Sequence, residues 1–273
     1  MIEKTEALLL RTHPYSQTSR LVIWLSPERG RIATLLKGAC RPKSPFLGQI
    51  DLPDTCELVF YAHTRSGVHI ARECSPLRRR SALRQDWRRY AAAEYVCHLL
   101  HHVCMADHPQ QRLFHQAEAL LDFFCDHAAT PQALFQWELQ TLQTLGLAPQ
   151  LMGCTLCGRP HHPEAGPERW TFSPRLGGLV CPLCGRSQRQ GRGLTLPRDV
   201  AAMLRRWLHS TAPHTAHRTC CSPRQLALAE RLLGQFIEHH LDSNPKARAI
   251  ALHMLTQEPE HIVARRRTHL TQK

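Results

Sequence analysis

The sequence predicts an α+β protein in which a small five-stranded β-barrel is followed by an all-helical domain with a four-cysteine insert. Three observations lead to this prediction. Short strand-like runs separated by turn residues fill the first eighty positions, helical apolar periodicity dominates the rest, and two Cys-x-x-Cys pairs interrupt the helical part. A chain of 273 residues is long enough for about two domains with apolar cores.

The first domain, residues 1–80, contains five strand-like segments. Short apolar runs alternate there with turns rich in Pro, Gly and Asp, over residues 5–11, 19–26, 30–37, 56–62 and 68–73. Five short strands at intervals of roughly ten residues fit an OB-fold, which removes exposed strand edges by closing the sheet. A five-stranded SH3-like barrel is the structural alternative.

The helical domain is predicted in two parts, residues 81–153 and 186–256, on either side of the insert. Ser81 is expected to cap a helix that runs to about Met105, and Thr130-Pro131 to open one that stops at Gly146. Further apolar stripes at helical spacing follow Pro109, Pro197 and Pro223. Residues 257–273 include three consecutive arginines and are predicted to form a disordered basic tail.

Two Cys-x-x-Cys pairs predict a metal site in the insert, residues 154–185. Four thiolates at this spacing suit one tetrahedral Zn²⁺, held by Cys154, Cys157, Cys181 and Cys184. Because four protein sulfurs leave no open coordination position, the ion is expected to be structural. A redox-active dithiol pair or two disulfides are the alternatives for these cysteines.

A zinc deaminase is a further interpretation of the same region, and it fits poorly. His162-Pro163-Glu164 imitates half of the deaminase signature, but Val180 stands where a proline should precede Cys181. It would also leave the first Cys-x-x-Cys pair without a purpose. The sequence therefore favours the structural site.

The charge balance indicates a polyanionic partner. The formal net charge is +13 and the pI is about 9.6. Nucleic acid, as single- or double-stranded DNA, is the first candidate, and an acidic protein tail is the second. A solvated basic surface without a partner is the structural alternative.

Candidate DNA contacts concentrate in the barrel and at its junction with the helices. The β-hairpin turn at 27–30 and the loop at 38–48 are expected to present several cations together, as a groove that follows a phosphate backbone. Tyr15 and Phe46, in loops beside basic residues, are the candidates for base stacking, whereas Trp24 in a strand is expected in the core. The candidate cations are Arg11, Arg20, Arg29, Arg31, Lys37, Arg41, Lys43, Arg79, Arg80 and Arg84.

The sequence shows no catalytic signature and no targeting segment. We find no Walker lysine loop, no paired carboxylates in a plausible cleft and no nucleophile with an oriented base, so we do not expect an enzyme. The N-terminus lacks the pattern of a signal peptide, and no apolar run is long enough to span a membrane. We therefore expect a cytoplasmic protein with reduced thiols.

Several motifs in order resemble the bacterial RecO family of recombination mediators. Residues 10–22, 27–32 and 37–44 are similar to that family's N-terminal OB domain, and residues 137–151 and 172–181 to its helical domain and zinc insert. The resemblance covers about residues 1–250. Cys40 and Pro45 occupy places where other members often carry Arg, and residues 244–248 only loosely echo a C-terminal Lys-x-Arg pattern.

This resemblance implies a function and a set of partners. It implies ATP-independent annealing of complementary single strands, including strands coated by the single-strand-binding protein SSB. It further implies loading of RecA with RecR and, in some systems, RecF, docking of the SSB C-terminal tail on the helical domain, and a nucleoid-associated location. A zinc-ribbon factor that binds RNA or duplex DNA in transcription or translation, and a nucleic-acid-processing metalloenzyme, are the alternatives from other classes.

Overall fold

Five strands close into a barrel at the N-terminus of the computed structural model, which describes residues 1–63, 67–162, 170–187, 193–210, 212–242 and 245–257. The neighbours run in the order β1-β2-β3-β5-β4, and β4 pairs back with β1. The β3–β5 pair is parallel and the others are antiparallel. The strands are β1 (Ile2–Pro14), β2 (Arg20–Ser26), β3 (Gly30–Leu36), β4 (Thr55–Tyr61) and β5 (Val68–Arg78). The predicted OB-type barrel is confirmed.

The interior of the barrel is filled by one face of each strand. In β3 the side chains alternate between buried and half-buried positions, which is the period-two pattern of a strand with one face on a core. Trp24 is fully buried, as predicted, and its Nε1 donates a hydrogen bond to Thr34 Oγ1 at 2.8 Å. The indole is therefore a core residue, and its one polar atom has a hydrogen-bond partner.

Helices form the second domain, as predicted. The first predicted helix is divided, because Asp86 adopts an extended backbone and its side chain accepts a hydrogen bond from Arg88 N to start a new helix. Thr130 caps α4 as expected. The helices are α1 (Ser81–Gln85), α2 (Trp87–Val103), α3 (Gln111–Asp126), α4 (Pro131–Thr144), α5 (Pro182–Ser187), α6 (Arg198–His209), α7 (His214–His217), α8 (Pro223–Leu241) and α9 (Pro245–Thr256).

The outer face of the barrel packs directly on the helices. Leu8, Leu10 and Leu25 belong to the same apolar core as α2 and α3. The β2–β3 hairpin also docks there: a Cβ at Gly30 would lie 2.3 Å from His108 O, so only glycine fits. Arg31 N donates to Met105 O at 2.9 Å. These contacts hold the two domains against each other.

A buried ion-pair network closes the junction between the domains. The Arg80 guanidinium contacts Glu118 at 2.8 Å and Asp122 at 2.7 Å, and it also donates to Pro53 O at 2.8 Å. Arg78 pairs with the same Glu118. Because a buried charge must be paired and hydrogen-bonded, this network fixes how the barrel meets α3.

The insert forms a small three-stranded sheet of its own. Its strands are β6 (Thr171–Ser173), β7 (Gly178–Val180) and β8 (Leu194–Thr195), in the order β7-β6-β8. Since β8 pairs with β6, this sheet reaches beyond the segment 154–185 that the sequence predicted for the insert. Pro163 and Glu164 of the deaminase-like motif, and all but the first residue of the predicted tail 257–273, lie outside the described residues.

Among the described helices, not one has the length and apolarity required to cross a lipid bilayer.

Candidate metal centre and nucleic-acid interface

The four predicted cysteines converge on one point. The sulfurs of Cys154, Cys157, Cys181 and Cys184 all lie within 4.8 Å of one another. The distance from Cys157 Sγ to Cys181 Sγ is 3.7 Å, far longer than a disulfide bond of about 2 Å. Four thiolates at about 2.3 Å from a tetrahedral ion would be about 3.8 Å apart. The arrangement therefore fits a closed four-sulfur metal site and not two disulfides.

Local backbone geometry builds this site. Gly158 has a φ of +73°, which lets the first Cys-x-x-Cys turn fold back so that Gly158 N donates to Cys154 O at 2.9 Å. Cys181 N donates to Cys154 Sγ at 3.4 Å. Burial works against ionisation of Cys154, but backbone N–H groups outweigh it and lower the pKa of this thiol to about 6. A metal binds cysteine as the thiolate, so all four thiols must lose their protons when the ion binds.

Cations without ion pairs gather at one end of the barrel, which we call the basic end: Arg11, Arg20, Lys37, Arg41 and Lys43. All five are exposed, and none pairs with a carboxylate within the described residues. The β1–β2 turn and the segment after β3 meet here, because Cys40 N donates to Thr18 O at 3.0 Å and Arg20 Nε to Cys40 Sγ at 3.4 Å. Two loops that are distant in sequence thus form one positive surface.

Two further candidates lie near this surface with different exposure. Tyr15, in the β1–β2 turn, is 63% exposed, so its ring is free to stack on a base. Phe46 is only 4% exposed and belongs to the barrel core, so the prediction that it contacts bases is wrong. The ring packs from the β3–β4 connection into the barrel core and is shielded from solvent. Arg79 is exposed and touches Gln49 Oε1 at 3.5 Å.

The sequence predicted that the hairpin at residues 27–30 presents cations to solvent, and the structure contradicts this. It lies at the opposite end of the barrel and docks on the helices. Arg29 pairs with Glu3 at 2.6 Å and Asp107 at 2.7 Å, and the hydrogen bond with Asp107, against the effect of burial, raises the pKa of Arg29. Arg31 Nη1 donates to His101 O at 2.8 Å. Arg29 is therefore paired with carboxylates and is not the free cation that the sequence predicted. Arg31 is half-buried and has one side-chain N–H bound by the helical domain, so its predicted DNA contact stays a prediction.

The junction arginines require the same correction. Arg80 is 2% exposed and its guanidinium is occupied by Glu118 and Asp122. Arg84 is held by Asp51 at 3.1 Å and Asp54 at 2.9 Å. Arg80 is therefore inaccessible to a phosphate, whereas Arg84 is partly exposed and already neutralised by two carboxylates.

The loosely matched C-terminal segment also has a structural role. The Arg248 guanidinium makes two contacts with Glu138, at 2.7 and 3.0 Å, and Tyr95 Oη donates to the same carboxylate at 2.7 Å. Burial lowers the pKa of Arg248, but the adjacent Glu138 carboxylate has the larger effect and raises it overall. The pair fastens α9 to the core of the helical domain.

Sequence reasoning missed three polar residues on α2 beside the basic end. Tyr90, Glu94 and His98 recur every four residues and line a cleft with Arg11 and Arg20. The i, i+4, i+8 spacing could have shown that they share one helix face. The sequence did not show that this face borders the barrel.

Comparison with known proteins identifies the family. Residues 1–80 match the family model "Recombination protein O N terminal", and residues 84–249 match "Recombination protein O C terminal". The chain is 32% identical to the DNA repair protein RecO of Roseiflexus sp. (strain RS-1), covering 91% of this chain and 84% of that protein. It is 30% identical to the DNA repair protein RecO of Myxococcus xanthus (strain DK1622), over 89% and 93%. The chain therefore belongs to the RecO family, which supports a role in DNA repair and recombination.

Proposed function

We propose that this protein is a recombination mediator that binds single- and double-stranded DNA and anneals complementary strands without ATP. The observation that carries the proposal is the basic end, five exposed cations without carboxylate partners in the described part of the chain. Two DNA strands repel each other, and a surface that neutralises the phosphates of both brings them within pairing distance without reading sequence. Tyr15 adds an exposed ring for base stacking.

The proposal includes the partners that the resemblance implied. The protein acts on strands coated by SSB, whose acidic tail docks on the helical domain, and it loads RecA with RecR and, in some systems, RecF. It works in the cytoplasm at the nucleoid. Family membership favours this function over a zinc-ribbon factor for RNA or duplex DNA, and no catalytic step is part of it.

An annealing assay tests the proposed function. Complementary oligonucleotides, bare or coated with SSB, are mixed with and without the protein, and duplex formation is followed by a fluorescence donor and quencher. We expect faster annealing at low salt and a smaller gain at high salt, because phosphate contacts weaken as salt increases. Unchanged annealing rates at low salt would contradict the proposal.

The metal in this function is one structural Zn²⁺. The four cysteine sulfurs hold it, and the ion supplies cross-links between the two Cys-x-x-Cys turns and no catalysis. We expect about one zinc per chain. Cys154→Ser should lose the metal and lower the free energy of unfolding by more than about 4 kcal/mol, because metal binding is coupled to folding.

The matched control for this variant is Cys220→Ser, which changes an exposed cysteine outside the metal site. It should keep both zinc and stability. Elemental analysis measures the zinc content, and urea unfolding measures the stability. Full stability of Cys154→Ser, or zinc retained by it, would show that the four sulfurs do not form the site.

A further inference from the structure

A cleft of about 370 Å³ lies where the end of β1, the face of α2 and the chain before β4 meet. It opens beside the basic end, and Arg11 and Arg20 border both. Its volume is within the range of small-ligand sites and suits one nucleotide better than a run of them. Its lining is mainly polar and includes cations, carboxylates, a phenol and an imidazole.

One wall of the cleft comes from α2. Tyr90, Glu94 and His98 lie on successive turns of the helix and face the same space. Among the described residues, none of these side chains donates or accepts a hydrogen bond within the protein or forms an ion pair. Burial and the neighbouring Glu94 raise the pKa of Tyr90, so its hydroxyl stays protonated. The wall thus offers unused polar groups to a ligand.

The opposite wall comes from the barrel. The pairing of β1 with β2 shifts register between Leu9 and Arg11, and such irregularities re-aim side chains next to binding sites. Arg11 and Arg20 have no carboxylate partner in the described part of the chain. Burial, followed by the positive charge of Arg11, lowers the pKa of His98. The guanidinium of Arg11 is therefore close to the helix wall and available for an anion.

Two carboxylates also line the cleft, and only one is available. Asp51 is paired with Arg84 at 3.1 Å, whereas Glu94 is exposed and unpaired among the described residues. A carboxylate has two acceptor oxygens and fits two parallel N–H donors best. Guanine presents two adjacent N–H groups on its Watson–Crick edge, whereas the amino groups of adenine and cytosine lie beside an acceptor. Thymine offers a single N–H between two carbonyls. In a single strand these edges are free to be read.

We propose that this cleft is a nucleotide pocket on the path of the bound strand, in which Arg11 and Arg20 hold a phosphate and Glu94 accepts both Watson–Crick N–H groups of a guanine. Tyr90 contacts the base from the helix side. The pocket rests on the proposed DNA binding and adds a base preference to a surface that otherwise follows phosphates. Strands that carry guanine are therefore held in a fixed register against the barrel.

Binding of labelled oligonucleotides to the full chain tests the pocket. The probes are an oligothymidine strand, the same strand with one central guanine, and the same strand with hypoxanthine in that place, which lacks the guanine amino group. Fluorescence anisotropy gives the dissociation constants. We expect the guanine strand to bind about fivefold or more tightly than oligothymidine, as for a bidentate base contact, and the hypoxanthine strand to lose most of this gain.

Glu94→Gln should remove the guanine preference and leave oligothymidine binding intact, because an amide has one acceptor where two are needed. The control is Glu238→Gln, an exposed glutamate on α8 that should leave the preference unchanged. Equal affinity of the wild-type protein for all three strands, or a preference that survives Glu94→Gln, would overturn the pocket while salt-sensitive oligothymidine binding still supported the proposed function. Failure to bind any strand would overturn both.

Discussion

The two ends of the barrel both carry arginines, and they use them in opposite ways. At the docked end, formed by the β2–β3 hairpin, Arg29 and Arg31 are held by Glu3, Asp107 and the His101 carbonyl oxygen. At the basic end, the cations face solvent without carboxylate partners in the described part of the chain. A basic residue near a candidate site is thus informative only when its partners are known.

The domain junction shows the same contrast in its strongest form, because desolvation forces an arginine to be paired there. A buried guanidinium such as that of Arg80 must be neutralised within the protein, so its carboxylates hold it permanently. An exposed cation keeps its hydration, and it can exchange counterions for a phosphate backbone. The same residue type therefore stabilises the domain junction in one place and offers a binding surface in the other.

Arg80→Met should have the largest effect on stability. It leaves Glu118 and Asp122 without their central cation, and breaking a buried pair costs about 3–5 kcal/mol. Arg79→Met changes the exposed neighbour and should shift the free energy of unfolding by no more than about 0.5 kcal/mol. Urea unfolding of both variants measures the contrast, and similar small losses would mean that the junction network does not hold the domains.

Tyr15→Ala should weaken single-strand binding by about 1–3 kcal/mol, the usual range for one stacked base. Its ring is exposed at the β1–β2 turn, so stability should hardly change. Tyr61→Ala, which removes another exposed tyrosine of the barrel, is the control. Binding isotherms of oligothymidine read the effect, and equal losses in the two variants would remove Tyr15 from the DNA path.

The smallest predicted effect concerns pH where α2 packs against the barrel. Burial, followed by the charges of Arg11 and Arg31, lowers the pKa of His101 to about 4. The unfolded chain binds this proton more readily, so the stability from neutral His101 is complete above about pH 6.5 and is lost as pH falls toward 4. Because solvent screens the site, we expect about 1 kcal/mol over this window.

His101→Gln should flatten this part of the stability profile, and His209→Gln, at an exposed position, should not. Urea midpoints measured between pH 4 and 7 provide the test. An identical acid profile in wild type and His101→Gln would show that this imidazole is not responsible.

Local sequence patterns were enough to predict the bounds of the strands in which apolar alternation is strong. The segments predicted at 19–26 and 30–37 became β2 (Arg20–Ser26) and β3 (Gly30–Leu36), because apolar alternation and a turn define a hairpin locally. β1 begins earlier than predicted, at Ile2, and β5 extends to Arg78. The polar ends of these two strands form β-structure only because closure of the barrel places a neighbouring strand beside them, as where Lys4 of β1 pairs with Val59 of β4.

Among the candidate sites, those built from local motifs were predictable from the sequence, and those that depend on contacts distant in sequence were not. The sequence predicted that the four cysteines come together, since each Cys-x-x-Cys turn is a local motif and two such pairs suit a single ion. The roles of the arginines were not predictable, because their partners are distant in sequence: Asp107 is 78 positions from Arg29, and Asp122 is 42 from Arg80. Only the fold brings those charges together.

The salt dependence of single-strand binding shows whether the basic end contacts the DNA backbone. Replacing Arg20, Lys37 and Arg41 by alanine should reduce the slope of log affinity against log salt by about 2, from about 0.7 for each lost phosphate contact. The control replaces Arg112, Arg224 and Arg231, three exposed arginines of the helical domain, and removes the same charge. We expect a flattened slope in the first variant and a wild-type slope in the second. An unchanged slope in the first, or equal flattening in both, would contradict this expectation.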